Sequence, residues 1–262
     1  MAREWTGFPE LNHVLTLLVA EVSDILDDRM LGAYLQGSFA LGEGDEQSDS
    51  DFLIVLRDDP TPSQLGELVL LHDSIPLREG HWTKHLEGSY PIADQLRGLS
   101  ARGQEWWFVD HGSRYMQRST HCNHAFVRWL TCAHGITLAG PAPGELIDAV
   151  PPDAIRDEMR VMLPKIVPDL MSWATLDIAW VQRILVTTTC RVLYTLETAE
   201  VTSKRRALHW AIQRFAPEWE ALLAQVLADR PLGLVVGDPP RPGSVERSLK
   251  FVDYAQKAAA NW

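Results

Sequence analysis

Cysteine, uninterrupted apolar sequence and positive charge are all scarce in this 262-residue chain. The three cysteines, Cys122, Cys132 and Cys190, are an odd number at no metal-ligand spacing. That excludes a disulfide framework and a cysteine-based zinc site, and reads as reduced thiols in a cytoplasmic protein. No stretch approaches the roughly 18 apolar residues that a membrane-spanning helix needs, so no membrane is expected as partner. The segment Met1-Ala2-Arg3-Glu4-Trp5 has no basic region followed by an apolar core, and no secretory signal is expected there.

The deficit of positive charge is local. Residues 1–150 hold 22 acidic and 10 basic side chains, a balance of −12, whereas residues 151–262 hold 13 and 14, a balance of +1. An acidic first part argues against a nucleic-acid backbone as partner, since phosphate contacts need dense Lys and Arg. It favours a cationic small molecule by electrostatic attraction, beside the plain solubility that surface charge also brings.

Hydrophobic periodicity sets out the organisation. Leu11, Val14, Leu15, Leu18, Val22, Ile25 and Leu26 repeat at helical spacing between Glu10 and Asp28. Leu31–Gln36 and Phe52–Leu56 are short apolar runs expected as buried strands, and Lys84–Leu86 leading into Glu87 is a weaker one. Arg57 to Pro62 reads as a loop, and Ser113–Ala133 as helix. A boundary is expected in Gly140-Pro141-Ala142-Pro143-Gly144 through Pro151-Pro152, where regular structure is hard to sustain. Beyond it only helices are expected: one capped by Asp153, one unbroken from Asp169 to about Glu197, one capped by Thr202 or Ser203, one over Glu218–Ala228, and a last one capped by Ser244. These elements give an α/β domain over 1–150 followed by an all-α bundle over 151–262, an α+β fold class.

The chemistry is concentrated in the stretch from Gly37-Ser38 to Asp49-Ser50-Asp51. Glycine at 37 lets the backbone approach a ligand closely, and Ser38 adds a hydroxyl at the start of a short helix whose N–H groups suit phosphate. Asp49 and Asp51 are two apart and project to one face of a strand. Two carboxylates together repel unless a cation sits between them, and Mg²⁺ takes carboxylate, phosphate and water oxygens. Either motif alone is common; together, ten residues apart and flanked by strands, they form one phosphate-and-metal site.

This pattern resembles the signature of the DNA polymerase β-like nucleotidyltransferase superfamily. The resemblance implies a small mixed sheet with helices on one face and a third carboxylate on a neighbouring strand, which falls on Glu87 in His85-Leu86-Glu87-Gly88-Ser89-Tyr90. Gly135-Ile136-Thr137-Leu138-Ala139-Gly140-Pro141, Cys190-Arg191-Val192-Leu193-Tyr194 and the segment from Val201-Thr202-Ser203-Lys204 to His209-Trp210-Ala211 resemble streptomycin/spectinomycin adenylyltransferases, which carry a C-terminal helical domain. Carried over residue by residue, this implies that Asp49, Asp51 and Glu87 ligate two Mg²⁺ ions and that Glu87 also meets the acceptor as base. It implies that Gly37, Ser38, Ser48 and Asn123 contact the nucleotide and that Arg191 and Lys204 reach the triphosphate. Where the resemblance implies an acceptor-contacting aspartate on the long helix, register from Arg191 gives Val181. Asp177 lies one turn earlier and is the expected substitute; a tyrosine implied further on falls near Arg230.

Of the ten tryptophans, Trp106, Trp107, Trp173 and Trp180 are candidates to line a cleft, with Trp107 assigned to the acceptor. His111, His121, His124 and His134 form no zinc pattern and read as structural or incidental, and His85 as a neighbour of Glu87. The expected activity is transfer of AMP from ATP–Mg²⁺ to a hydroxyl of an aminoglycoside or aminocyclitol antibiotic, by a monomer, in a cleft between the domains. The alternatives are the same chemistry on a protein or metabolite acceptor, and a non-catalytic nucleotide-binding regulator.

Overall fold

In a computed structural model, residues 4–215, 217–235, 237–260 and 262 are described, so the Met1–Arg3 part of the N-terminal segment lies outside them. The chain forms two compact units, Met1–Val150 and Pro151–Trp262.

The first unit is built on a six-stranded mixed sheet. Its strands in chain order are β1 (Met30–Leu35), β2 (Ser50–Leu56), β3 (Leu86–Tyr90), β4 (Trp106–Val109), β5 (Met116–Ser119) and β6 (Ile136–Ala139). Their spatial order is β5-β4-β3-β2-β1-β6. Only β2 and β3 run parallel; the other pairs are antiparallel. The parallel pair needs a crossover, supplied by helix α3 (Pro62–Ser74) and the turns after it.

Side-chain alternation divides the sheet into two faces. Ala33 and Leu35 of β1, Phe52, Ile54 and Leu56 of β2, and Leu86 and Tyr90 of β3 pack with helix α1 (Pro9–Leu26) and α3. Tyr34, Leu53, Val55, Trp106 and Phe108 point the other way and pack with Leu96, Cys122 and Ile147. The second face is therefore covered by loops and short helices rather than bare.

Several boundaries differ from the sequence expectation. The weak strand begins at Leu86, where it was expected to end, because Trp82–Lys84 winds into a 3₁₀ turn. The chain from Arg57 does leave β2 as a loop, but Thr61 then caps α3, which begins at Pro62: its hydroxyl accepts from the Gln64 backbone N–H at 3.3 Å while the Gln64 side-chain Oε1 accepts from the Thr61 N–H at 3.1 Å. Ser113–Ala133 is not one helix. It contains β5, a turn closed by Asn123 N–H to Thr120 C=O at 2.9 Å, and helix α4 (Ala125–His134).

The second unit is all helical: α6 (Pro152–Met162), α7 (Ile166–Met171), α8 (Ala179–Thr198), α9 (Lys204–Phe215), α10 (Glu220–Ala228) and α11 (Ser244–Ala259) follow the short α5 (Pro143–Leu146). Helix α8 is its axis, with Val181, Leu185, Val186, Cys190 and Leu193 fully buried and α6, α7, α9, α10 and α11 packed around it. The expected unbroken helix from Asp169 is interrupted at Ser172–Ile178. There Thr175 and Asp177 hydrogen-bond each other, the Thr175 Oγ1 accepting from the Asp177 N–H and donating to its carboxylate, both at 3.3 Å. Such short polar side chains satisfy the backbone locally and compete with the helix. Ser203 does cap α9, accepting from the Arg206 N–H at 3.1 Å. Asp153 does not cap α6, whose N-cap is Pro151, and Ser244 is the first residue of α11 after Gly243.

No helix among the described residues is long and apolar enough to cross a membrane. The three cysteines are free thiols, with Cys122 and Cys190 buried.

The first core contains one buried titratable pair with a pH consequence. His72 Nε2 lies 2.6 Å from the Tyr90 hydroxyl, and the ring stacks on Phe52. Burial lowers the His72 pKa from 6.5 to about 4. Between those values the unfolded chain binds the extra proton, so this contribution to stability is complete above pH 6.5 and lost as pH falls through 6.5 toward 4. The loss amounts to roughly 3 kcal/mol once both states are protonated. Urea unfolding of the first unit at pH 7 and pH 5 is expected to show this drop in the parent chain and a smaller one in His72→Gln; equal drops in both would place the titration elsewhere.

Candidate functional site

The site is assembled at the starts of β2 and β3. Asp51 on β2 and Glu87 on β3 are register partners across the parallel pair, so their Cα atoms sit one strand spacing apart, about 4.8 Å. Both belong, by alternation, to the face of Leu53 and Phe108, opposite α1 and α3. Asp49 precedes β2, beside the point where the Ser50 N–H donates to the His85 carbonyl at 2.7 Å. Glu87 is more enclosed than Asp49, its side chain 14% exposed against 37%.

Gly37 fixes the other wall. It opens the one-turn helix α2 (Gly37–Ala40) with φ +65°, and the preceding Gln36 N–H donates to the Asp51 carbonyl at 2.8 Å. A Cβ at position 37 would run into the Asp51 carboxylate. Glycine is required twice over, by backbone conformation and by space. Ser38 accepts through its backbone carbonyl from the Glu43 N–H at 3.0 Å, closing the loop. Ser48 is buried, its hydroxyl donating to Asp45 Oδ1 and accepting from the Asp45 N–H, both at 3.0 Å. That hydroxyl holds the loop between Asp45 and Ser48.

Two residues read from sequence as incidental prove central. His111, in the turn after β4, pairs through Nδ1 with Asp49 Oδ1. His121, in the turn after β5, pairs through Nε2 with Glu87 Oε1 at 3.2 Å and lies against Phe108, ring centres 5.2 Å apart. The hydrogen bond to Asp49 raises the His111 pKa against the opposing effect of burial, and the bond to Glu87 does the same for His121. The β4–β5 hairpin thus delivers two imidazoles to a row of carboxylates. His85 lies edge-on to His111, ring centres 4.8 Å apart, and burial followed by the neighbouring His81 lowers its pKa. No spacing in the sequence signals these partners, because they are brought together by pairing of strands far apart in the chain.

Other assigned residues are held by contacts of their own. Asn123 is fully buried, its amide donating to the Ala101 and Gln104 carbonyls at 2.8 Å each and its oxygen accepting from Arg128 at 3.1 and 2.6 Å. It holds a structural knot around Arg128, which corrects its assignment to the nucleotide. Trp107 packs on the α1–α3 face with Tyr90, opposite Glu87, under the Arg118 guanidinium at 5.3 Å; that corrects its assignment to the acceptor. Trp106 is buried in the sheet's second face. In the second unit, Arg191 Nε donates to the Thr202 carbonyl at 3.2 Å, bringing it beside the start of α9 where Lys204 stands. Asp177 lies exposed in the break before α8, rather than on that helix as expected. Val181 is fully buried core. Trp173, 64% exposed, stacks with Trp180 across the same break, ring centres 6.2 Å apart.

Two substitutions separate these roles. Gly37→Ala is expected to impose about 1–2 kcal/mol of backbone strain and displace Asp51, lowering any activity of the site far more than the melting temperature; an alanine variant of parental activity would contradict the packing described. Asn123→Ala is expected to destabilise the first unit by roughly 2–4 kcal/mol, since it removes the oxygen that accepts from Nε and Nη2 of the buried Arg128 guanidinium, while leaving ATP affinity within about twofold. Urea unfolding and ATP titration of the folded variant read the two effects.

Known proteins resemble this chain in sequence and in fold. A family model described as the aminoglycoside adenylyltransferase C-terminal domain matches residues 145–231. A spectinomycin 9-adenylyltransferase of Campylobacter jejuni is 26% identical, over 82% of this chain and 83% of its own length. The crystal structure of spectinomycin adenyltransferase AAD(9) from Enterococcus faecialis with ATP and spectinomycin superposes with a TM-score of 0.70 at 12% identity, covering 94% of this chain and 98% of that one. In its C-terminal part, in sequence and in fold, the chain therefore resembles the aminoglycoside adenylyltransferases, which are nucleotidyltransferase enzymes.

Proposed function

We propose that this chain is an aminoglycoside adenylyltransferase that moves AMP from ATP to a hydroxyl of a cationic aminocyclitol or aminoglycoside of the streptomycin/spectinomycin type, acting as a cytoplasmic monomer in antibiotic resistance. The observation that carries the reading is the in-register placement of Asp51 beside Glu87 with Gly37 packed on Asp51. The family match over residues 145–231 supports the acceptor class.

Asp49, Asp51 and Glu87 offer only carboxylate oxygens, the donor set that fits hard divalent ions, and would hold two Mg²⁺. Bound there, Mg²⁺ supplies charge neutralisation at the phosphates and at the attacking oxygen. Glu87 accepts the proton of the acceptor hydroxyl, a task suited to a carboxylate more enclosed than Asp49. The glycine at 37 lets the chain approach the triphosphate, and the first turn of α2 presents N–H groups that a helix cannot pair internally. Arg191, midway along α8, and Lys204, at the start of α9, are the cations that the resemblance assigns to the triphosphate. The acidic surplus of residues 1–150 and the exposed Asp177 favour a polycationic acceptor.

Pyrophosphate release from ATP–Mg²⁺ is expected on adding spectinomycin or streptomycin. Glu87→Gln should cut that rate by about 10²–10⁴ while keeping the stabilisation by ATP seen in a thermal shift. Full turnover in the variant would remove Glu87 as base. Stabilisation by ATP with no release on any of spectinomycin, streptomycin and kanamycin would remove the acceptor class.

A further inference from the structure

Asp49, His85 and His111 come from three separated points of the chain, the approach to β2, the approach to β3 and the turn after β4. Each offers a ligand atom, and the three atoms lie within 4.8 Å of one another. One carboxylate and two imidazoles are a different donor set from the three carboxylates beside them. Mg²⁺ takes oxygen ligands, whereas a mixed nitrogen–oxygen set suits Zn²⁺, Co²⁺ or Ni²⁺. Three protein ligands on such an ion leave a further position for water or an anion.

The surroundings hold the two rings in place. His85 stacks on His81, ring centres 4.2 Å apart, and His81 Nε2 lies 3.1 Å from the Glu46 carbonyl. His111 sits in a turn fixed by the Gly112 N–H donating to the Leu86 carbonyl at 3.3 Å and by its own N–H donating to Asp110 Oδ1 at 2.9 Å. Ligands oriented by outer contacts in this way lose less freedom when an ion binds. All three ligands are only half-buried, so an ion can enter from solvent.

We propose that Asp49, His85 and His111 form a binding site for one borderline divalent transition-metal ion, of the Zn²⁺ or Co²⁺ class, that shares Asp49 with the carboxylate set. An ion held there draws Asp49 away from Asp51 and Glu87. Such an ion inhibits nucleotidyl transfer, and excess Mg²⁺ relieves the inhibition by competing for Asp49. The inhibition rests on the proposed adenylyltransferase activity; the binding does not.

The test uses the full chain without an affinity tag, stripped of metal and free of nucleotide. Titration with Co²⁺, read by its visible ligand-field absorption, and with Zn²⁺, read by calorimetry, is expected to show one ion per chain. His85→Gln combined with His111→Gln should weaken that binding at least about 10-fold, the single His111→Gln should weaken it in the same direction, and Asp51→Asn should leave it within about threefold. Unchanged far-ultraviolet circular dichroism establishes that each variant is folded. Equal affinity in the parent and the double histidine variant, or no binding in the parent at millimolar ion, overturns the site. Loss of binding in Asp51→Asn equal to that in the double variant places the ion among the carboxylates and also overturns it. With binding established, pyrophosphate release should fall with Zn²⁺ in the parent and be at least about 10-fold less sensitive in His111→Gln. Equal Zn²⁺ sensitivity in both overturns the shared use of Asp49. A chain that binds Co²⁺ as described yet releases no pyrophosphate with any acceptor leaves the metal site standing and removes the adenylyltransferase reading.

Discussion

Three carboxylates crowd the starts of two adjacent parallel strands, and much of the first unit's local arrangement answers that crowding. Asp51 and Glu87 are held one strand spacing apart by ladder hydrogen bonds that neither side chain can influence. Like charges at that distance cost free energy in any medium less polar than water. The cost is offset by imidazoles carried on the β4–β5 hairpin, His111 on Asp49 and His121 on Glu87, each made a better proton holder by the carboxylate it meets. The hairpin is thus an electrostatic element of the site as well as an edge of the sheet.

The pleat does the sorting that makes this possible. Phe52, Ile54 and Leu56 of β2 and Leu86 and Tyr90 of β3 face the α1–α3 layer, so the hydrophobic core forms without the positions that carry charge. Asp51 and Glu87 occupy the alternate positions, on a face closed only by loops and short helices. Stability and chemistry are separated by a single residue of register, which is why a one-residue slip would bury the carboxylates and expose Phe52 and Leu86.

Much of this was readable beforehand, and the failures have physical causes. The Gly37-Ser38 and Asp49-Ser50-Asp51 spacing located the loop and the strand because a tight turn needs glycine and paired acids need a cation. Glu87 came from resemblance, and strand pairing sets it beside Asp51. Helix α1 was legible because one long face repeats at helical spacing, whereas α3 was hidden behind Pro60 and Pro62 although Thr61 and Gln64 carry a capping box. The unbroken helix expected from Asp169 failed at Thr175 and Asp177, where side chains satisfy the backbone in its place. Asn123 and Trp107 were misassigned for one reason: their types suit a ligand, but burial and the direction of the pleat decide what they touch. His111 and His121 were passed over because their carboxylate partners lie tens of residues away in sequence.

The pairing of β1 with β6 joins residues 33–35 to residues 136–139. During synthesis β1 therefore emerges more than a hundred residues before its outer neighbour, with β2 on one side and an unsatisfied row of backbone groups on the other. Such an edge is a template for pairing with another chain. Long-range pairings of this kind also form slowly. The growing polypeptide consequently passes through a stage in which the carboxylate loop already exists while the sheet beside it is still open.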